Sequence, residues 1–85
     1  MQKPCAGYRR AAEQGYAGAQ SNLGFMYGKG RGVPLDYVQA HMWLNLATKQ
    51  GIERARKARD ELAKKMTPAQ IAEAQRLARE WKPKQ

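Results

Sequence analysis

The sequence has very little of the chemistry that metal sites and disulfides need. It contains one cysteine, Cys5, and one histidine, His41. A single thiol excludes a disulfide within the chain and a zinc site built from several cysteines. No stretch approaches the roughly 18 apolar residues of a membrane-spanning helix, and the first ten residues lack the apolar core of a secretory signal. The default expectation is therefore a cytoplasmic chain without metal or cofactor.

Groups that could carry out catalysis are equally few. Asp36 precedes His41 by five residues and so lies off its helical face, and Cys5 is accompanied by no orienting carboxylate or second histidine. The glycine run at 28–32 follows no strand, which a phosphate-binding loop requires. We therefore expect no enzymatic activity, and we interpret the glycine run as a turn between helices.

Residues that favour strands are also scarce, because valine and isoleucine together number only four. All eight glycines lie between Gly7 and Gly51, and the rest of the chain is rich in Ala, Arg, Lys and Glu, which favour helices. The fold class is therefore predicted to be all-α. The apolar spacing predicts five helices, at roughly 4–14, 18–27, 36–50, 52–65 and 68–81.

Local signals mark several of the helix ends. Asp36 is placed to cap the third helix, and Thr67 with Gln70 forms a capping-box pattern with Pro68 at the first helical position. Gly15 and Gly51 are placed to end the first and third helices. The third helix is apolar nearly all round, which predicts that it has neighbours on more than one side.

A short internal repeat predicts the architecture. The segment Ala11–Gly15 recurs as Ala47–Gly51, 36 residues later in the sequence. A period of this length is typical of stacked helical pairs, in which each pair buries its faces against its neighbours. The sequence therefore predicts a short α-solenoid of antiparallel helix pairs.

The same part of the chain carries a more specific pattern. It consists of Ala19-Gln20, Leu23-Gly24, Tyr27, Gly30-Arg31-Gly32-Val33, Asp36, Ala40, Trp43 and Ala47-Thr48-Lys49-Gln50-Gly51. This pattern resembles the Sel1-like repeat, a relative of the tetratricopeptide repeat. The resemblance implies a right-handed helical solenoid that binds proteins and catalyses no reaction. The chain departs from the family pattern at Gly7, where the family often has tryptophan, and in residues 52–66, which lack the Leu-Gly-Tyr signature.

The resemblance also divides the chain. We expect a single domain over 1–85, made of a half repeat at 4–15, a full repeat at 16–51 and C-terminal capping helices at 52–82. By analogy with related solenoids, the concave surface is lined by the first helix of each pair. The residues expected to contact a protein or peptide partner there are Asn22, Phe25, Met26, Lys29, Arg56 and Arg59. The alternative for Phe25 and Met26 is that they pack against the preceding helix.

The first helix corresponds to the second member of a pair whose first member is absent. Its outer face, with Tyr8, Ala11 and Ala12, is therefore expected to lack a cover. Two consequences remain open. Either this face associates with a second copy to form a homo-oligomer, or the chain is the end of a longer array of repeats.

A formal net charge of +9 indicates a second candidate function, which is electrostatic binding of nucleic acid or another polyanion. Part of the basic surface is expected to pair with nearby acids on its own helix. The expected pairs are Glu53–Lys57, Arg56–Asp60, Glu61–Lys65, Glu73–Arg76 and Arg76–Glu80. Trp81 alone lies among the basic residues, and its spacing places it in the core. We therefore favour the protein-binding interpretation over the nucleic-acid one.

Overall fold

The structure is a computed structural model that describes the backbone of residues 4–83 and the side chains of residues 9–83. Five helices and no strands occur in this part of the chain, which confirms the all-α prediction. The helices are α1 (Pro4–Glu13), α2 (Ala17–Lys29), α3 (Tyr37–Lys49), α4 (Glu53–Ala63) and α5 (Pro68–Glu80). No helix among the described residues is both long enough and apolar enough to cross a membrane.

The predicted caps are confirmed at α3 and α5. The Asp36 carboxylate accepts from the Gln39 N–H at 3.1 Å. Thr67 and Gln70 form both bonds of the capping box, with Gln70 N donating to Thr67 Oγ1 at 3.2 Å and Thr67 N donating to Gln70 Oε1 at 2.9 Å. These bonds satisfy backbone donors that the first turn of a helix leaves free.

The predicted end of α2 is wrong by two residues, because Gly28 lies inside the helix instead of in the following turn. The helix continues to Lys29, and Gly30 caps it with a left-handed conformation (φ +67°) while its N–H donates to the Met26 carbonyl. Within the helix Gly28 packs against α3, where a Cβ at this position would lie 3.7 Å from the Ala40 Cβ, an ordinary van der Waals distance.

The 36-residue repeat appears in the backbone hydrogen bonds. Tyr16 N donates to the Ala11 carbonyl at 3.1 Å, and the equivalent bond from Ile52 N to the Ala47 carbonyl measures 3.2 Å. The glycine that precedes each donor has a positive φ, +104° at Gly15 and +94° at Gly51. A side chain with a Cβ is strained in that region, so glycine is required for this turn at both positions.

The core is centred on α3, which packs against α2, α4 and α5. This arrangement confirms the prediction that an all-round apolar helix has neighbours on more than one side. The buried apolar residues of α3 are Ala40, Met42, Trp43, Leu44, Leu46 and Ala47. All five helices contribute to this one cluster, and α3 contributes the largest share of its residues.

Two glutamines join the two equivalent turns. Gln20 is fully buried, and its Nε2 donates to the Ala12 carbonyl at 3.2 Å. Gln50 Nε2 donates to Gln20 Oε1 and to the Gly15 carbonyl, each at 2.9 Å. The buried amide of Gln20 is thus satisfied on both sides, and the turn after α1 is tied to the turn after α3.

The last helix packs back across the molecule. The rings of Trp43 on α3 and Trp81 meet edge to face, with centroids 6.0 Å apart and an interplanar angle of 75°. Beyond Trp81, Pro83 lies close to the turn between α1 and α2, where a Cβ built on Gly15 would be 3.8 Å from the Pro83 Cβ. The α5 segment therefore covers one side of α3 and ends beside the turn between α1 and α2.

The prediction that Ala12 lies on an uncovered face of α1 is wrong. Ala12 is fully buried in the core, and Ala11 is half-buried. The reason is that α1 packs on α2, where the buried Gln20 side chain binds the Ala12 carbonyl. The side chain of Tyr8 lies outside the described residues. Self-association through α1 therefore stays a prediction that Ala12 does not support.

Candidate partner-binding groove

A groove runs between α2 and α4 above the surface of α3. It encloses a cavity of about 250 Å³. Its lining residues are Gly24, Phe25, Gly28, Lys29, Leu44, Ala58, Glu61, Leu62 and Lys65. We call this feature the α2–α4 groove.

The sequence produces the groove by placing small residues on both walls. On α2, Gly24 and Gly28 lie one turn apart and contribute no side chain, so the side chain of Leu44 of α3, which is only 2% exposed, forms the floor between the walls. On α4, Ala58 and Leu62 have the same spacing and make the opposite wall short and apolar. The charged residues Lys29 and Lys65 lie at the edges, so an apolar floor is bordered by cations.

A second cavity of about 210 Å³ adjoins the groove on the side of α2. It is lined by Asn22, Phe25, Met26, Lys29 and Arg31. The structure therefore brings together the four residues of α2 that the sequence predicted to contact a partner. Phe25 and Lys29 line both cavities, which places them between the two. Phe25 and Met26 are half-buried, so neither packs fully into the core.

The structure does not place Arg56 and Arg59 at either cavity. Arg56 forms ion pairs with Glu53 and with Asp60, the latter at 3.5 Å. Arg59 donates to Asn45 Oδ1 at 2.9 Å and pairs with Asp60 at 3.3 Å. Their proposed role in partner contact therefore has no support from the position of either side chain.

Arg54 is the arginine of α4 that lies next to Phe25, a residue that lines both cavities, with its guanidinium carbon 6.0 Å from the centroid of the Phe25 ring. Residues two positions apart lie about 200° apart around a helix, so Arg56 is on the opposite side of α4. Sequence reasoning missed Arg54, Ala58 and Lys65. The helical spacing of positions 54, 58 and 61 on α4, continued by position 65 just beyond its end, was the signal that could have found them.

The acidic residues of α4 and α5 pair with bases on their own helix. Glu61 pairs with Lys64 at 2.9 Å, and Arg76 pairs with Glu73 at 2.7 Å and Glu80 at 3.0 Å. The hydrogen bond from Arg76 lowers the pKa of Glu73. The predicted pairs of Arg56 and Arg76 are thus present. By contrast, Glu53 pairs with Arg56 instead of Lys57, and Glu61 pairs with Lys64 instead of Lys65.

His41 is buried on α3 and lines neither of the two cavities. Its Nδ1 has no hydrogen-bond partner among the described residues. Burial lowers the pKa of His41, the nearby charge of Arg59 lowers it further, and Asp60 partly opposes both effects. Across residues 9–83, no three His, Cys, Asp or Glu side chains are grouped so that they could hold a metal ion.

Comparisons with known proteins bear on the family and the fold of the chain. A sequence model of the Sel1 repeat matches residues 8–16 and 17–52. The chain is 44% identical over 54 residues to chitin synthase regulatory factor 3 of Schizosaccharomyces pombe, an alignment that covers 64% of this chain and 6% of that protein.

A solved structure with the same arrangement of helices is that of c5321, a protective antigen present in uropathogenic Escherichia coli strains displaying an SLR fold. It superposes with a TM-score of 0.85 at 36% identity over 91% of this chain and 17% of the other. The chain thus spans a small part of the length of each relative. The likeness confirms the α-solenoid fold, and since the family model matches more than half of the sequence, the chain belongs to the Sel1 repeat family.

Proposed function

We propose that the α2–α4 groove is the binding site for a peptide or a segment of a partner protein. The Sel1 repeat family and its fold indicate a protein-interaction module and are typical of non-catalytic scaffolds. The observation that carries the proposal is the groove itself, which lies between the first helices of two successive pairs. Leu44 forms its apolar floor, and Ala58 and Leu62 form an apolar wall.

The size of the cavity favours a peptide over a small-molecule ligand. Its volume of about 250 Å³ falls below the roughly 300–1,000 Å³ that small-molecule sites enclose. It is large enough for a single apolar side chain, whose burial contributes about 1.5–3 kcal/mol. A side chain anchored on Leu44 and flanked by polar contacts to Asn22 and Lys29 is therefore the interaction that the groove supports best.

Filling the groove tests this proposal. Peptides that bind the wild-type chain are selected from a library of short random sequences and measured by fluorescence anisotropy. Ala58→Phe places a ring in the groove, whereas Ala72→Phe adds the same ring at an exposed position of α5 and serves as the control. We expect Ala58→Phe to weaken binding at least tenfold, about 1.4 kcal/mol, and Ala72→Phe to leave it unchanged.

A folding control accompanies the measurement, because a large residue in the groove can disturb the helices around it. Far-ultraviolet circular dichroism and the melting temperature of Ala58→Phe are compared with those of the wild type. If a folded Ala58→Phe variant binds every selected peptide as tightly as the wild type does, the groove is not the binding site.

Electrostatic binding of a polyanion is the second candidate, and the net charge of +9 favours it. Ionic strength distinguishes the two functions. The affinity for nucleic acid falls steeply with salt, with log K linear in log salt and a slope of about −0.7 for each phosphate contacted on a single strand. A peptide held mainly by an apolar side chain shows a much shallower dependence.

A further inference from the structure

Resting on the proposed function, we propose that the segment bound in the α2–α4 groove is acidic, with one apolar anchor residue flanked by carboxylates. Four cations surround the two cavities. Lys29 and Lys65 line the groove, Arg31 lines the adjoining cavity, and Arg54 lies over Phe25 between them. Among the described residues, none of these four forms an ion pair.

Six of the seven acidic residues of the chain bind partners other than these four cations. Glu53, Asp60, Glu73 and Glu80 pair with arginines on the outer sides of α4 and α5. Asp36 accepts from the first turn of α3 as its N-cap.

The one acid that lines the groove is already paired. Glu61 binds Lys64 at 2.9 Å, so its charge is compensated by a residue outside the cavity. The four cations therefore give the two cavities an excess of positive charge, although other exposed basic residues, such as Lys49 and Arg79, lie elsewhere.

The position of Lys29 determines how an acidic segment would bind. Lys29 lines both cavities and is exposed, so its ammonium group can reach a carboxylate on either side of Phe25. With an apolar side chain on Leu44 and Leu62, carboxylates on the neighbouring residues of the segment would meet Lys29 on one wall and Lys65 on the other. A basic segment would be repelled at the same positions.

The same features favour a protein segment over nucleic acid. Proteins that bind single-stranded nucleic acid stack bases on exposed aromatic rings among the basic residues. Phe25 is the aromatic residue that lines these two cavities, it is half-buried, and Arg54 already lies over its ring. These two cavities therefore offer a base no aromatic ring other than Phe25.

The test begins with the peptides that are selected without bias on the wild-type chain. We expect them to be enriched in Asp and Glu on both sides of one apolar residue. Replacing the acidic residues of the best peptide by their amides should weaken its binding about tenfold. Adding an unstructured single-stranded DNA oligonucleotide at the same concentration of charge should not displace it.

Charge reversal on the protein identifies the cations responsible. In the double variant Lys29→Glu/Lys65→Glu, the preference for the acidic peptide over its amide form should disappear. The control, Lys49→Glu/Arg79→Glu, changes the net charge equally at exposed positions outside the groove, and it should keep the preference to within about twofold. Equal loss in both double variants would show that net charge alone attracts the peptide, and the inference would be wrong.

The remaining outcomes separate this inference from the proposed function. Selected peptides that Ala58→Phe blocks but that carry no excess of acidic residues would overturn the inference and leave the groove as the binding site. Peptides insensitive to Ala58→Phe would overturn both. Displacement of the acidic peptide by the oligonucleotide would identify the groove cations as a nucleic-acid site instead.

Discussion

Gly24 determines how closely α2 and α3 approach each other. A Cβ built on it would lie 2.7 Å from Leu44 Cγ and 3.1 Å from the Ala40 carbonyl oxygen. Both atoms belong to buried parts of α3 that cannot move away cheaply. The same contact determines the position of the Leu44 side chain at the floor of the groove. This glycine therefore affects both the stability of the fold and the shape of the candidate site.

We predict that Gly24→Ala lowers the free energy of unfolding by about 1–3 kcal/mol, as overpacking does in a close-packed core. Gly28→Ala, one turn later on the same helix, is the matched control, because its Cβ would meet only the Ala40 Cβ at 3.7 Å. Alanine favours a helix over glycine by about 1 kcal/mol, so Gly28→Ala should be neutral or stabilising. Urea unfolding measures both, and a stabilised Gly24→Ala would contradict the packing.

His41 makes stability depend on pH. Its pKa in the folded chain is lowered, chiefly by burial and then by Arg59, so the unfolded chain binds a proton first as the pH falls. Stability is therefore complete above the ordinary histidine pKa of about 6.5 and declines as the pH falls below it.

We predict that His41→Gln removes this decline between pH 7.5 and pH 5.5, where histidine is the side chain with an ordinary pKa in range. Thermal unfolding of the wild type and of His41→Gln across this pH range measures how steeply the stability of each protein depends on pH. An equal slope in the variant would show that other groups cause the pH dependence.

At the scale of the helices, α5 contributes to the stability of the fold. It packs on α3 through Trp81 and Trp43, and the residues after it reach Gly15 in the first turn. It therefore connects the end of the chain with the beginning of the repeat. The α2–α4 groove lies on α2, α3 and α4 and takes no lining residue from α5, so α5 supports the fold without entering the groove.

We predict that Trp81→Ala lowers the free energy of unfolding by about 3 kcal/mol, the lower end of the range for large aromatic residues, because Trp81 is half-buried. Arg79→Ala, at an exposed position of the same helix, is the control and should change it by less than about 0.5 kcal/mol. Denaturant unfolding followed by circular dichroism measures both variants. Equal stability of Trp81→Ala and wild type would show that α5 does not stabilise the core.

The sequence predicted the helices well because their ends carry local signals. Asp36, the Thr67–Gln70 capping box, Gly15 and Gly51 act within a few residues of their own position, so their roles follow from spacing alone. Gly28 was misplaced because glycine is common in turns, whereas here it lies within α2 and packs on Ala40 of another helix. The docking of α5 on α3 is a tertiary contact of the same kind, which no local pattern encodes.

The sequence indicated the candidate-site residues on α2 but not those on α4. Asn22, Phe25, Met26 and Lys29 belong to the repeat, where the resemblance indicates which face is concave. The wall on α4 lies beyond the repeat signature, and there the spacing of basic residues offered several faces. The choice of Arg56 over Arg54 depended on the rotation of α4 against α3, which the contact between Arg59 and Asn45 displays in the structure.

For the whole molecule, shape and charge act together. The described chain is elongated, 38 × 24 × 21 Å, with the groove on one side of α3 and the tryptophan pair on another. The acidic residues of α4 and α5 pair with bases on or next to their own helix, and Glu61 at the groove pairs with Lys64, so positive charge is in excess where a partner would bind. The charge thus favours encounter and selectivity, and the apolar floor provides the anchor.

The central claim is that the α2–α4 groove binds the partner, and backbone amide chemical shifts of the isotope-labelled chain test it most directly. On titration with a selected peptide, we predict that the largest shift changes occur at Gly24, Gly28, Leu44 and Leu62, while Ala72 and Arg76 on α5 stay unchanged. Largest changes along α5, with the groove residues unaffected, would contradict the account.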